Sequence, residues 1–178
     1  GTYTVQAGDV SSDLTVKSIA VSGTVSDASD QAMVDFSIGA NLASSSAIVV
    51  DGVAPTIARV KSASTNTTYG TGASINIKVN FSENVTLSSG GSLIVTLNSA
   101  TDRTVNITGI VNETSEDGTY TVQEGDASND LSVTNIALSS GATLSDAAGN
   151  AMSSFSIPAD SNLSDFNAII INTTKPST

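Results

Sequence analysis

The sequence predicts an all-β protein made of antiparallel β-sandwich repeats in tandem, and three observations carry the prediction. Apolar and polar residues alternate in short runs, turn-forming residues break the chain every 8 to 12 positions, and one long stretch occurs twice. GTYTVQAGDVSSDL at residues 1–14 matches GTYTVQEGDASNDL at residues 118–131 at 11 of 14 positions. The likeness continues in SDASDQAM (26–33) against SDAAGNAM (145–152), and in AIVVDGVAP (47–55) against AIIINTTKP (168–176). Pro55 and Pro176 stand 121 positions apart, so the unit is domain-sized and too long for a solenoid coil. Residues 1–51 therefore read as the C-terminal half of a repeat, 52–174 as a complete repeat, and 175–178 as the start of a following repeat or a tail.

Taken in order, the complete repeat opens with a strand in TIARVKSA (56–63), followed by a loop, STNTTYGTGA, rich in Gly, Ser, Thr and Asn. SINIKVNF (74–81) alternates without a fault: Ile75, Ile77, Val79 and Phe81 face one way, Ser74, Asn76, Lys78 and Asn80 the other. SENVTLSSGG (82–91) reads as a loop, SLIVTLN (92–98) and RTVNITGI (103–110) as strands, and VNETSEDG (111–118) as a polar loop ahead of the strand TYTVQ. In LSVTNIAL (131–138) the apolar residues change phase between Val133 and Ile136, which predicts a β-bulge. The turn SDAAGNA and the strands SSFSIPA (153–159) and AIIIN (168–172) complete the set, and no segment has a helical period. Seven to nine short strands in one such unit specify a sandwich of Ig-like type.

Composition excludes several functions. A formal net charge of −11 and a pI near 4.1 repel phosphates, so no nucleic acid is expected as partner, whereas cations are. With no His, Cys or Trp, the chain has no imidazole or thiol for nucleophilic catalysis and no soft ligand for zinc. Paired-carboxylate chemistry would lack the aromatic platform that holds a sugar ring, since aromatics are 4% of residues. The expectation is a protein that is not an enzyme. No apolar run of membrane-spanning length occurs, so no membrane insertion is expected of this segment.

Strand direction predicts where the carboxylates fall. Each antiparallel strand reverses the last, so Glu83, after SINIKVNF, and Asp146, in the final hairpin turn, share the N-terminal end of the repeat. GDASNDL, with Asp126 and Asp130, lies at the C-terminal end. In the first copy Asp9 and Asp13 occupy that C-terminal end, so stacked repeats would bring Asp9, Asp13, the linker Asp51, Glu83 and Asp146 to one junction. Asp126 and Asp130 would serve a following junction. Like charges so close repel, and an all-oxygen ligand set suits structural Ca²⁺. For Asp146 a second reading stands beside ligation: a turn residue bonded to its own backbone, with Gly149 at positive φ. The first copy reads DASDQ where the second reads DAAGN, so its turn lacks the glycine, and Asn172 replaces Asp51 at the later linker.

VDGVAPTI, YGTGASINIKVNFSENV, GTYTVQEGDASNDL and SDAAGNAM, in that order, resemble the tandem Ig-like or cadherin-like repeats of large prokaryotic surface proteins, adhesins and S-layer proteins among them. The resemblance implies an extracellular location, cell-surface or secreted, and calcium that stiffens junctions between repeats. It would assign that part to Asp51, Glu83 and Asp146. The expected partners are neighbouring repeats of the same or an identical chain, with cell-surface or matrix ligands beyond them. Sequons at Asn66, Asn80, Asn84, Asn106, Asn112, Asn162 and Asn172 are candidate glycosylation sites, and Asn80 falls on the outward face of its strand. The reading is a structural, non-catalytic repeat. One alternative is a subunit of a filament or sheet completed by strand exchange between chains; another is a carbohydrate-binding adhesive domain.

Overall fold

Alternation becomes burial in the longest strand. In the computed structural model, which describes residues 1–175, β5 (Ser74–Leu87) buries Ile75, Ile77, Val79, Phe81, Val85 and Leu87 on one face. The chain divides into two units, Gly1–Val53 and Ala54–Thr178. The tail expected at 175–178 lies, except for Lys175, outside the described residues.

The first unit holds little regular structure. β1 (Val10–Ser11) pairs antiparallel with β2 (Val50–Asp51), and a 3-10 turn at Leu42–Ser44 is capped by the side chain of Asn41. Val50 is the one buried large hydrophobic residue of this unit among the described residues.

The second unit is built around β5. β3 (Ile57–Lys61) pairs with it antiparallel, Val60 opposite Val79, and β8 (Glu113–Thr121) flanks its other edge, Ile75 opposite Tyr120. A second antiparallel sheet has the order β10 (Val133–Leu138), β6 (Leu93–Leu97), β7 (Arg103–Ile107). Inward residues of both sheets share one hydrophobic cluster, from Ile57 and Val60 to Leu93, Val95, Val105 and Ile136. β4 (Thr68–Tyr69), β9 (Ala127–Ser128) and β12 (Ile170–Asn172) form a small third sheet, and β11 (Leu144–Ser145) pairs with the far end of β5. The class is all-β, with antiparallel pairing throughout except for the parallel pair β4 and β12. The bulge expected in residues 131–138 is present, as a register shift between Val133 and Asn135.

Four elements differ from the sequence reading. SENVTL is not a loop but the continuation of β5, through a register irregularity between Asn80 and Val85. VNETSEDG is mostly strand: its polar residues hydrogen-bond along the edge of β5, where Lys78 and Asp117 form a cross-strand ion pair at 3.1 Å. SSFSIPA joins no sheet beyond an isolated bridge at Ala151 just before it, although Phe155 and Ile157 pack on the core. A single helical turn, α1 (Leu163–Phe166), starts at Asn162 with a reciprocal capping box to Asp165, a motif that needs no helical period.

Gly118 shows how tightly the two sheets meet. It sits opposite Ile77 in β8, where an added Cβ would collide with Val105 Cγ1 and come within 2.9 Å of Ile107 Cγ1. Gly118→Ala is therefore expected to destabilise the second unit by about 1–3 kcal/mol through overpacking, read as a lowered urea midpoint at unchanged slope.

Candidate functional site

Counting by twos from Ile75, position 83 falls in the buried series of β5 between Phe81 and Val85, and the residue there is glutamate. β5 has by then passed its partner β3, because Ser82 accepts the Thr56 amide through its hydroxyl and returns its own amide to Thr56 O. Glu83 is thus half-buried at the N-terminal end of the unit. β11 approaches the same end by pairing Leu144 with Leu87 and Ser145 with Thr86, and it delivers Asp146. A carboxylate oxygen of Glu83 and one of Asp146 lie within 4.8 Å of each other, and Asp146 is 7% exposed.

Asp146 also organises its turn. Oδ1 accepts the Asn150 amide at 2.8 Å, Oδ2 accepts Asn150 Nδ2 at 2.8 Å, and Gly149 has φ of +91°. A carboxylate offers about four lone-pair directions, so these two bonds leave it acceptor capacity for a further donor or a cation. The turn and ligand readings are compatible. In the first unit Asp27 holds the matching turn through Ser29 and Gln31, and Asp30 takes the place of Gly149 with φ of +57°. The left-handed conformation is kept without the glycine, at the strain cost Asp tolerates better than most residues.

The opposite end of the second unit requires a correction. Asp126 is fully buried and turned inward, not towards a following junction. Its Oδ1 accepts Arg103 Nε at 2.7 Å, and its Oδ2 accepts the Tyr120 hydroxyl at 2.6 Å and the Gln123 amide at 2.8 Å. Burial pushes the Asp126 carboxyl up, but these hydrogen bonds and the charge of Arg103 outweigh it and hold the group below the usual carboxylate range. Burial and the same hydrogen bond push the Tyr120 phenol well above its ordinary range. Asp126 is a structural anchor for its loop. Asp130 is exposed and lines a surface depression with Asp102, a residue outside the carboxylates that strand direction predicts.

Asp9 repeats the Asp126 arrangement: it accepts the Tyr3 hydroxyl and, at 2.8 Å, the Gln6 amide. Its carboxylate serves its own loop, with the Tyr3 bond the main reason its carboxyl is held low. Asp13 is exposed. Asp51 of β2 pairs with Val10 of β1, and its Oδ1 accepts the Val53 amide at 3.1 Å.

The sequons fall into two groups. Asn66, Asn84, Asn106, Asn112 and Asn172 are exposed. Asn162 is engaged: Nδ2 donates to Val133 O at 2.8 Å while Oδ1 accepts the Val133 and Leu163 amides, so its amide nitrogen is committed to the fold. Asn80 is half-buried, with a buried Oδ1 that lacks a hydrogen-bond partner, so the open outward face expected of it is not found. Arg103 and Tyr120 carry no local sequence pattern that marks them as partners of Asp126, because they stand on different strands. The recurrence of Tyr, Gln and Asp at one spacing across the two copies is the clasp's sequence signal.

No protein-family model, curated protein or solved structure matches the chain.

Asp126→Asn is expected to destabilise the second unit by about 2–3 kcal/mol at neutral pH. This is less than the ~3–5 kcal/mol for breaking a fully buried pair, because the Arg103 side chain keeps 27% exposure. The folded carboxyl is held low, so its stabilisation is complete above the unfolded value near ~3.9 and is lost as pH falls through the lowered folded value. Melting temperatures of the wild type and the variant should differ by a constant amount from pH 7 to about 5 and converge below about pH 4.

Proposed function

We propose that this chain is a structural, non-catalytic repeat of an extracellular surface protein, an adhesin stalk or S-layer element of Ig-like type, in which calcium stiffens the junctions between repeats. The observation that carries the metal part is the meeting of Glu83 and Asp146. Two oxygens on one Ca²⁺, each about 2.3–2.6 Å from it, stand no more than about 5 Å apart. The two carboxylate oxygens, within 4.8 Å of each other, fit that limit. Two carboxylates so close repel each other, and a cation shared between them relieves that repulsion.

Asp51 is the proposed third ligand. It precedes Ala54, the first residue of the second unit, by three positions, a span of at most about 11 Å of extended chain. The next residues run through buried Pro55 to Thr56, which is clasped to Ser82 beside Glu83. Asn, Ser and backbone carbonyls near these residues supply the neutral oxygens that Ca²⁺ prefers, and the chain offers no His or Cys to any competing soft metal. An ion held jointly by a linker residue and a domain would offset the backbone entropy of ordering the linker, about 1–2 kcal/mol per residue. The duplicated sequence supports the repeat role, and the exposed sequons suit an extracellular surface.

Millimolar Ca²⁺ is expected to raise the melting temperature of the chain by several degrees, with EDTA reversing the effect and Glu83→Gln with Asp146→Asn abolishing it. Identical melting curves with Ca²⁺ and with EDTA would remove calcium from the proposal.

A further inference from the structure

We infer that the apolar face of the first unit is a docking surface for the front half of a repeat, a polypeptide segment with the strand pattern of residues 54–117 of this chain. The argument rests on comparing the same sequence in two settings. Tyr3 is 55% exposed and its counterpart Tyr120 is 3%; Val16 is 42% and Val133 4%; Ile19 is 52% and Ile136 5%; Met33 is 52% and Met152 5%. Identical or near-identical residues are core in one unit and surface in the other.

The local scaffold is nevertheless the same. The Tyr3, Gln6 and Asp9 clasp reproduces that of Tyr120, Gln123 and Asp126. The Leu14 amide donates to Ile48 O at 2.8 Å, as the Leu131 amide does to Ile169 O at 2.8 Å. Asn41 bonds both backbone groups of Val16 at 2.8 and 2.7 Å, as Asn162 does with Val133 at 2.9 and 2.8 Å. The first unit thus displays the back half of a repeat in its bonded form, with the face that should be core turned to water.

The second unit identifies the occupant, because it contains it. There Tyr120 lies opposite Ile75 of β5, Val133 opposite Leu97 and Ile136 opposite Val95 of β6, and Leu144 opposite Leu87. A backbone deficit accompanies the apolar one. Residues 133–138 form β10 and bond to β6, whereas residues 15–21 in the first unit belong to no sheet. An incoming segment must therefore supply both a strand edge and alternating aliphatic side chains, which is strand addition with its specificity already written in residues 74–97.

Placing a second copy of residues 54–117 directly ahead of Gly1 tests this, because Asp117 is followed by Gly118, the counterpart of Gly1, and no linker is needed. Amide exchange at Val16 and Ile19 is expected to slow at least about tenfold, towards the rates of Val133 and Ile136. Peroxide oxidation of Met33 should slow to that of Met152. The same insertion with Ile77→Lys and Val95→Lys in the added copy should give no protection. Should the enlarged chain prove insoluble, a peptide of residues 74–97 titrated into the unaltered chain should slow Met33 oxidation. Unchanged exchange and oxidation in the first unit, or equal protection by the lysine variant, would overturn the inference. Concentration-dependent protection of the unaltered chain would also overturn it, since a second copy would then be the occupant.

Discussion

The second unit depends on one constraint, the two-residue period of β5. Because successive side chains leave a strand on opposite sides, six apolar residues at odd positions from Ile75 to Leu87 make a buried stripe interrupted at position 83. Both edges of that strand are then free to bond, to β3 on one side and β8 on the other. The stripe in turn demands a second sheet to cover it, which β6, β7 and β10 provide. Glu83 gains its position from the same period: it fills a slot of the stripe between Phe81 and Val85, so a rule of packing places a carboxylate beside Asp146.

Around this core the loops are fixed by polar clasps of one kind, in which a short side chain bonds to backbone groups that lack a sheet partner. Asp126 does this for the Gln123 amide, Asn162 for Val133 and Asp146 for Asn150. Each satisfies donors that would otherwise be left without partners as the chain turns, where an unmet buried group costs about 1–3 kcal/mol. Arg103 adds a charge to the most buried clasp, one of only six basic residues in a chain with seventeen acidic ones.

Much of the fold was legible in the sequence because sheets encode themselves locally. The alternation of residues 74–81, the bulge after Val133 and the meeting of Glu83 with Asp146 all followed from period, phase and strand direction. What stayed hidden depended on partners. The residues of VNETSEDG look like a loop because they are polar, and they form a strand because β5 offers an edge to which their backbone bonds regardless of side chain. Asp126 reads as a surface acid and is buried because Tyr120 of β8 and Arg103 of β7 close over it. The capping box at Asn162 was present as a motif but was too short to register as a period.

The clasp of Tyr, Gln and Asp spans only seven residues, and it is closed in the first unit as in the second although Val50 is nearly all the core that the first unit has. Its contacts are local in the chain, so forming them costs little loop-closure entropy and needs no long search. In kinetic terms such a loop closes at less entropic cost than the distant pairing of β5 with β8 and of β6 with β10, whose partners lie far apart in the chain.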